Sequence, residues 1–238
     1  MLNTLLESLS ALVFPPVCEA CDAVILANPP LGVCQKCRAQ IKPIAGPHCP
    51  GCGRTLIEKN TRCADCEGES YAFDRAVACA IYEGTLRKLL HAYKFENRKY
   101  LKHFFVTLAV QFIKTYLHAS DFDLTLAVPM EKNRRIERGF NQSELISLEI
   151  AKQFSIPHSS GNLIHVGPGI AQSLLAKHER KENVKNAFLI RNADEFRSRH
   201  VLLIDDILTT GYTASECARV LKKADTSSVT VLALARGA

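Results

Sequence analysis

Eight cysteines near the start of the sequence form four Cys-x-x-Cys pairs, a spacing that is typical of structural zinc sites. Intervals of 12, 11 and 10 residues separate successive pairs. A structural zinc ion takes four ligands, so four pairs predict two ions with filled coordination shells. The intervals favour joining the first pair to the second and the third to the fourth, although a cross-braced arrangement also satisfies the count. The pairs are Cys18/Cys21, Cys34/Cys37, Cys49/Cys52 and Cys63/Cys66.

Two adjacent carboxylates follow an apolar run in residues 201–216, VLLIDDILTTGYTASE. Residues 201–204 are apolar enough to predict a central strand, which places Asp205 and Asp206 at its carboxyl end. In open α/β sheets, ligands bind beyond the carboxyl ends of the strands. Carboxylates accept hydrogen bonds from ribose hydroxyls, directly or through Mg²⁺, so the pair predicts a site for a sugar phosphate.

The hydroxyl-rich turn after these carboxylates has the composition of an anion-binding cradle. Its glycine permits backbone angles that are closed to other residues, and Thr213-x-x-Glu216 predicts a capping box that starts the next helix. Successive N–H groups, threonine hydroxyls and the helix dipole would then converge on one position, where they stabilise a phosphate. The turn consists of Thr209, Thr210, Gly211, Tyr212 and Thr213.

A basic segment follows another predicted strand end, at Val128-Pro129, and precedes Gly-Phe-Asn-Gln at residues 139–142. Guanidinium groups match phosphate oxygens in bidentate pairs, so this segment predicts a second phosphate site. A solvated run of surface charges is the alternative interpretation. The basic residues are Lys132, Arg134, Arg135 and Arg138.

Segments with strand and helix patterns alternate through the rest of the chain, which predicts an α/β fold with a mostly parallel sheet and flanking helices. A small cysteine-rich zinc-ribbon domain, residues 1–70, is expected to precede this body of residues 71–238 and to begin with a short amphipathic helix. The predicted strands are 76–82, 124–128, 163–166, 187–191, 201–204 and 229–235, and the predicted helices are 86–95, 100–117, 143–154 and 213–223.

Composition narrows the function classes further. The chain of 238 residues is 47% hydrophobic and carries a formal net charge of +6, which suits a globular protein that binds nucleic acid or a small polyanion. It shows no apolar run of membrane-spanning length and no signal-peptide pattern. We therefore expect no transmembrane segment and a reducing, cytoplasmic location. Cys79 and Cys217 stand apart from the pairs and are expected to be small core residues.

The acidic stretch resembles the phosphoribosyl-diphosphate (PRPP) binding signature of type I phosphoribosyltransferases. The resemblance implies that Asp205 and Asp206 hold the ribose hydroxyls with Mg²⁺ present, and that the turn 209–213 holds the 5′-phosphate. It also implies that the basic segment forms a pyrophosphate loop. Some purine-specific members carry an aspartate general base where this chain has Thr209, which cannot take that role at neutral pH. Purine salvage of that kind is therefore disfavoured, and no catalytic residue is assigned.

Several further segments, together with the cysteine pairs, are similar to the ComF family of competence-associated proteins, whose members include proteins labelled ComFC and GntX. That resemblance implies handling of incoming single-stranded DNA during natural transformation, at the cytoplasmic face of the inner membrane. It also implies that residues 171–185 form a mobile loop that closes over PRPP. The segments are HAYKFENRKYL at 91–101, RGFNQ at 138–142, and the loop residues Gln172, Arg180 and Asn183.

Three functions remain open at this point. The first is a Mg²⁺-dependent phosphoribosyltransferase with an unidentified acceptor. The second is a module that binds PRPP, another sugar phosphate or single-stranded DNA, and the third is a zinc-ribbon adaptor that recruits a competence helicase. A nucleic-acid path would run along Lys94, Arg98, Lys99 and Lys102, with Tyr93, Phe95 and Tyr100 stacking on bases unless they pack in the core.

Overall fold

The structure is a computed structural model that describes residues 15–25, 31–49, 51–56, 62–167 and 184–237. The predicted N-terminal helix lies outside the described residues. So do Gln172, Arg180 and Asn183, whose assignment to a loop over PRPP stays a prediction.

The described residues form six strands: β1 (Arg75–Ile81), β2 (Leu124–Ala127), β3 (Leu163–His165), β4 (Phe188–Ile190), β5 (His200–Leu208) and β6 (Ser228–Arg236). Four parallel strands form one sheet in the order β1-β6-β5-β2, and β3 and β4 form a separate antiparallel pair. This arrangement confirms the predicted α/β fold with a mostly parallel sheet.

Helices cover both faces of the sheet, because side chains along each central strand alternate between two cores. On β5, Leu202 and Ile204 face one core, whereas Val201 and Leu203 face the other. The helices are α1 (Gln35–Ala39), α2 (Gly84–Phe95), α3 (Lys102–Tyr116), α4 (Lys132–Arg138), α5 (Gln142–Phe154) and α6 (Tyr212–Lys223). The first core contains α2, α3 and α5, and the second contains α6.

Strand β5 is longer than the sequence predicted, so the two carboxylates lie within it and not after it. Its pairing with β6 continues to Leu208, whereas its pairing with β2 ends at Ile204. Asp205 and Asp206 therefore lie on the part of β5 that has lost its β2 neighbour. The strand end on that side opens into a cleft instead of being covered by another strand.

The predicted capping box at the start of α6 is wrong. Gly211 is the N-cap residue, with φ +80°, and the helix begins at Tyr212. The Glu216 carboxylate accepts a hydrogen bond from the Asn186 backbone N–H at 2.7 Å and pairs with Arg219 at 2.6 Å.

The cysteine-rich region is joined to the edge of the sheet. The Ile81 N–H donates to the Lys42 carbonyl at 2.9 Å, and the Ile44 N–H donates to the Cys79 carbonyl at 3.1 Å. These bonds cover the outer edge of β1, which would otherwise present unpaired backbone groups. Cys79 on β1 and Cys217 on α6 are buried, which confirms both as core residues.

Candidate functional site

A cleft of about 490 Å³ lies at the carboxyl ends of β2 and β5. This volume is within the range of small-molecule sites. We call it the strand-end cleft. It brings together residues that the sequence predicted separately, as well as others that it did not. Its polar lining includes Lys94, Glu131, Arg134, Arg138, Asn141, Ser143, Asp205, Asp206, Thr209, Thr210 and Thr213, with the backbone of Gly211.

The two carboxylates of the cleft differ in their surroundings. The Asp206 N–H donates to Asp205 Oδ1 at 2.8 Å, and Asp206 Oδ2 lies 2.8 Å from the ammonium of Lys94. Burial, together with the neighbouring Asp206 carboxylate, raises the pKa of Asp205 to about 7. Asp205 thus changes its charge near neutral pH, and Asp206 already has a cation as its partner.

Lys94 is a cleft residue that the sequence reasoning had assigned to a nucleic-acid path. Its side chain and that of Asp206 are each only 15% exposed. The other three cations of the predicted path also contact groups of the protein itself. Arg98 pairs with Glu19 at 3.3 Å, Lys102 pairs with Glu149 at 3.2 Å, and Lys99 lies over the Phe140 ring at 4.9 Å.

The aromatic residues predicted along the same path separate into two groups. Tyr93 is fully buried, so core packing is the correct interpretation for it. Phe95 and Tyr100 are 61% and 43% exposed. Phe95 lines the strand-end cleft, and the guanidinium of Arg138 lies 4.6 Å from its ring centroid.

The predicted phosphate turn lies at the N-terminus of α6. Thr209, Thr210, Gly211 and Thr213 line the cleft, where the positive end of the helix dipole favours an anion. The side chain of Tyr212 has a different position, because its hydroxyl donates to Glu69 Oε1 at 2.7 Å in the cysteine-rich region.

The basic segment forms the short helix α4, where the sequence had suggested a loop. Arg134 and Arg138 line the strand-end cleft. Lys132 and Arg135 instead line a neighbouring pocket, and Arg135 pairs with Glu144 at 2.9 Å. Burial lowers the pKa of Arg138, although nearby Asp206 opposes this effect.

The Arg-Gly-Phe-Asn-Gln stretch holds α4 and α5 in place beside the cleft. Gly139 ends α4 with φ +73°, and Phe140 is buried in the core. Asn141 caps α5 by accepting from the Ser143 N–H at 3.1 Å, and its side-chain amide donates to the Val128 carbonyl at 3.0 Å. Asn141 and Ser143 were not predicted as cleft residues. Their only sequence signal was their place at a helix start after a basic segment.

The eight paired cysteines form two clusters, each with its sulfur atoms within 4.8 Å of one another. Within the clusters, Cys21 Sγ and Cys34 Sγ are 3.7 Å apart, and Cys52 Sγ and Cys63 Sγ are 3.6 Å apart. Four sulfurs placed about 2.3 Å from a zinc ion in a tetrahedron are about 3.8 Å apart, so both clusters fit structural zinc. The first cluster is Cys18, Cys21, Cys34 and Cys37, and the second is Cys49, Cys52, Cys63 and Cys66, which confirms sequential pairing.

The two clusters repeat the same local geometry. The Cys34 N–H points at Cys18 Sγ at 3.4 Å, and the Cys63 N–H points at Cys49 Sγ at the same distance. Burial opposes ionisation of Cys18 and Cys49, but the surrounding N–H donors prevail and lower the pKa of each to about 7. Thiolates are the form that binds zinc, so these donors prepare the sites for the metal.

The parallel sheet with flanking helices makes the body an α/β fold with a cleft at its strand ends, and a double zinc ribbon precedes it. Residues 9–67 match the family described as Double zinc ribbon domain. Competence protein F of Haemophilus influenzae is 30% identical over 209 residues, which cover 86% of this chain and 90% of that protein. The chain therefore belongs to the ComF family.

The chain also resembles two further proteins. DNA utilization protein YhgH of Salmonella typhimurium is 28% identical over 228 residues, which cover 94% of this chain and 99% of that protein. A hypoxanthine phosphoribosyltransferase from Staphylococcus aureus superposes with a TM-score of 0.36 and 14% identity, over 57% of this chain and 62% of that chain. In the part of the chain that the structure describes, every helix is too short or too polar to cross a bilayer.

Proposed function

We propose that the strand-end cleft binds PRPP. The observation that carries this proposal is the meeting of three groups in one cleft: two adjacent carboxylates, a turn at a helix N-terminus, and two arginines. PRPP has a ribose diol, a 5′-phosphate and a pyrophosphate, so it needs hydroxyl acceptors and two separate anion sites. A simple phosphate ion would need only one of these groups.

In this proposal each part of PRPP has its own residues. Asp205 and Asp206 accept hydrogen bonds from the ribose hydroxyls, and the turn 209–213 donates backbone N–H groups to the 5′-phosphate. The guanidinium groups of Arg134 and Arg138 bind the pyrophosphate. Lys132 and Arg135, predicted for the same task, lie beside another pocket and serve as comparison residues.

The carboxylate pair also suits Mg²⁺, which is commonly bound through one or two carboxylates together with the phosphates of a substrate. When bound, the ion would neutralise part of the pyrophosphate charge. Lys94 already contacts Asp206 at 2.8 Å. A ligand that draws on Asp206 must therefore share this carboxylate with Lys94 or displace it.

Calorimetric titration of the zinc-replete chain with PRPP tests the proposal. We expect saturable binding that strengthens with Mg²⁺, and a roughly ten- to hundredfold loss of affinity in Arg134→Ala, because bonds to ionised groups contribute about 1.5–3 kcal/mol. Arg135→Ala is the matched control, since it removes a guanidinium from the same helix but from outside the cleft. Absence of binding at millimolar PRPP contradicts the proposal, and equal losses in the two variants contradict the pyrophosphate assignment.

Handling of single-stranded DNA is the second candidate function, and one observation favours it. Phe95 is exposed at the rim of the cleft beside Arg138, and an aromatic ring next to a guanidinium is a platform for an unpaired base. The names of the two relatives, competence and DNA utilization, agree with this role. Recruitment of a helicase, phosphoribosyl transfer to an acceptor and a location at the membrane face stay predictions.

Fluorescence anisotropy with a labelled oligonucleotide tests the DNA candidate. Phe95→Ala should weaken binding by roughly 1–3 kcal/mol, the usual contribution of one stacked base. PRPP should compete with the oligonucleotide, because Phe95 and the carboxylates border one cleft. Tyr116→Ala is the control, since Tyr116 is also exposed but lies at the end of α3. Equal binding by the wild type and both variants excludes Phe95 as the platform.

A further inference from the structure

The segment between the last paired cysteine and β1 contacts the phosphate turn at two places and α6 at a third. We call residues 66–73 the ribbon tether. The Tyr71 hydroxyl donates to the Thr210 carbonyl at 3.0 Å, and the Tyr212 hydroxyl donates to Glu69 at 2.7 Å. The Ala72 N–H also donates to the Ser215 hydroxyl at 3.0 Å. The turn and the first residues of α6 are thus fastened to the cysteine-rich region.

Tyr71 lies between the second zinc cluster and the turn. On the cluster side, its hydroxyl is 3.6 Å from Cys66 Sγ, and its side chain packs against the cluster of four cysteines. On the turn side, a Cβ on Gly211 would lie 3.2 Å from its ring. The ring itself stacks on Phe73, with centroids 5.0 Å apart. Its position therefore depends on both the cluster and the core.

The bond from Tyr71 has a direct consequence for the phosphate cradle. The Thr210 carbonyl and the Gly211 N–H belong to one peptide group, which is planar and trans, so the two point in opposite directions. Holding the carbonyl towards the cysteine-rich region directs the N–H away from that region. Gly211 also lines the strand-end cleft, so the orientation of this peptide group affects how the turn meets an anion there. Gly211 has φ +80°, and glycine has no side chain that would restrict rotation of this peptide.

We propose that Tyr71 is a positioning residue for the phosphate turn, and that the second zinc cluster holds Tyr71 in place. Occupancy of the second cluster, and not of the first, then determines how well the turn is ordered for an anion. The link to PRPP affinity rests on the function proposed above, whereas the order of the turn does not. The first cluster belongs to a different part of the molecule, since Cys18 and Cys37 pack in the core that contains α2 and α3.

Hydrogen exchange measured on the zinc-replete chain without ligand tests the positioning role. Tyr71→Phe keeps the ring and removes only the hydroxyl. We expect the Ser215 amide, whose bond to the Gly211 carbonyl at 2.8 Å reports on the order of the turn, to exchange about fivefold faster, the effect of losing one hydrogen bond of average strength. Tyr116→Phe removes an exposed hydroxyl elsewhere and should leave the turn unchanged. Unchanged exchange of the turn in Tyr71→Phe, with both zinc ions retained, overturns the proposal.

A pair of cysteine variants tests the difference between the clusters. Cys66→Ser and Cys21→Ser should each reduce the zinc content from two ions to one. Only Cys66→Ser should speed exchange of the turn, and an equal effect of Cys21→Ser overturns the assignment to the second cluster. If Cys66→Ser does not fold, Tyr71→Phe still decides the positioning role.

Titration with PRPP separates this proposal from the function on which it rests. Wild-type protein that binds no PRPP refutes the proposed function, while the exchange data still decide the role of Tyr71. Wild-type protein that binds PRPP, with a fivefold loss in Tyr71→Phe, supports both. Equal PRPP affinity in the wild type and Tyr71→Phe overturns the link between the tether and ligand binding.

Discussion

Replacing Asp205 with asparagine isolates the cost of keeping a second carboxylate in the strand-end cleft. Burial and the nearby Asp206 carboxylate raise the pKa of Asp205 from 3.8 to about 7. Between about pH 4 and pH 7, Asp205 therefore keeps its proton in the folded chain, whereas it has lost this proton in the unfolded chain. The free energy of unfolding should fall as the pH rises through this window. The loss should be complete above pH 7, where Asp205 is charged in both states.

The size of the effect follows from the two pKa values. For one carboxyl, the contribution to the unfolding free energy falls by roughly 2–3 kcal/mol between pH 5 and pH 8. The asparagine side chain would stay neutral across this range and would still offer an oxygen to the Asp206 N–H, which now donates to Asp205 at 2.8 Å. The unfolding free energy of Asp205→Asn, relative to that of the wild type, should therefore increase by roughly 2–3 kcal/mol between pH 5 and pH 8.

Urea denaturation of the zinc-replete proteins at pH 5 and pH 8 measures this difference. Comparing the two pH values removes any constant effect of the substitution on packing. Asp121→Asn is the control, because it makes the same carboxylate-to-amide change at an exposed position. The reasoning is refuted if the difference between Asp205→Asn and the wild type is the same at both pH values, or becomes less favourable at pH 8.

Three further predictions concern the cleft, its turn and the zinc clusters. Asp206→Asn removes a charged acceptor, so it should lower PRPP affinity about ten- to hundredfold when Mg²⁺ is present and little when it is absent. If calorimetry gives the wild type and this variant equal PRPP affinity both with and without Mg²⁺, the ribose site is elsewhere. Gly211→Ala should lower the unfolding free energy by roughly 1–2 kcal/mol in urea, because its φ of +80° is unfavourable for alanine; an unchanged midpoint would contradict this. Cys49→Ser should reduce zinc from two ions to one in elemental analysis and open the second ribbon to protease, because zinc supplies much of the folding free energy of such a unit. A wild-type content of one ion or none would contradict the two-site arrangement.

The sequence predicted the features that depend on local spacing. The cysteine pairs, the parallel sheet and the acidic strand followed by a glycine turn all have signals within short segments, and the structure confirms the sequential pairing and the fold. The length of β5 was underestimated because its last residues are held by β6, a partner that no local pattern identifies. Glu216 was expected to cap α6, but Asn186 and Arg219 compete for its carboxylate.

Two of the residues that the sequence reasoning missed are placed by contacts between distant parts of the chain. Tyr71 donates to the Thr210 carbonyl across 139 positions, and Lys94 reaches Asp206 from the end of α2. Lys94 follows the buried Leu90 by four residues, so it lies at the edge of the buried face of its helix. This spacing was the one signal in the sequence that Lys94 faces the interior of the protein. Nothing in the spacing of Tyr71 pointed to the turn.

A crystal structure of the zinc-replete chain with PRPP and Mg²⁺ tests the central claim most directly. We predict the 5′-phosphate against the backbone of residues 209–213, the ribose hydroxyls at Asp205 and Asp206, and the pyrophosphate between Arg134 and Arg138. PRPP bound away from the two carboxylates, or bound with its 5′-phosphate remote from the turn, would contradict the account.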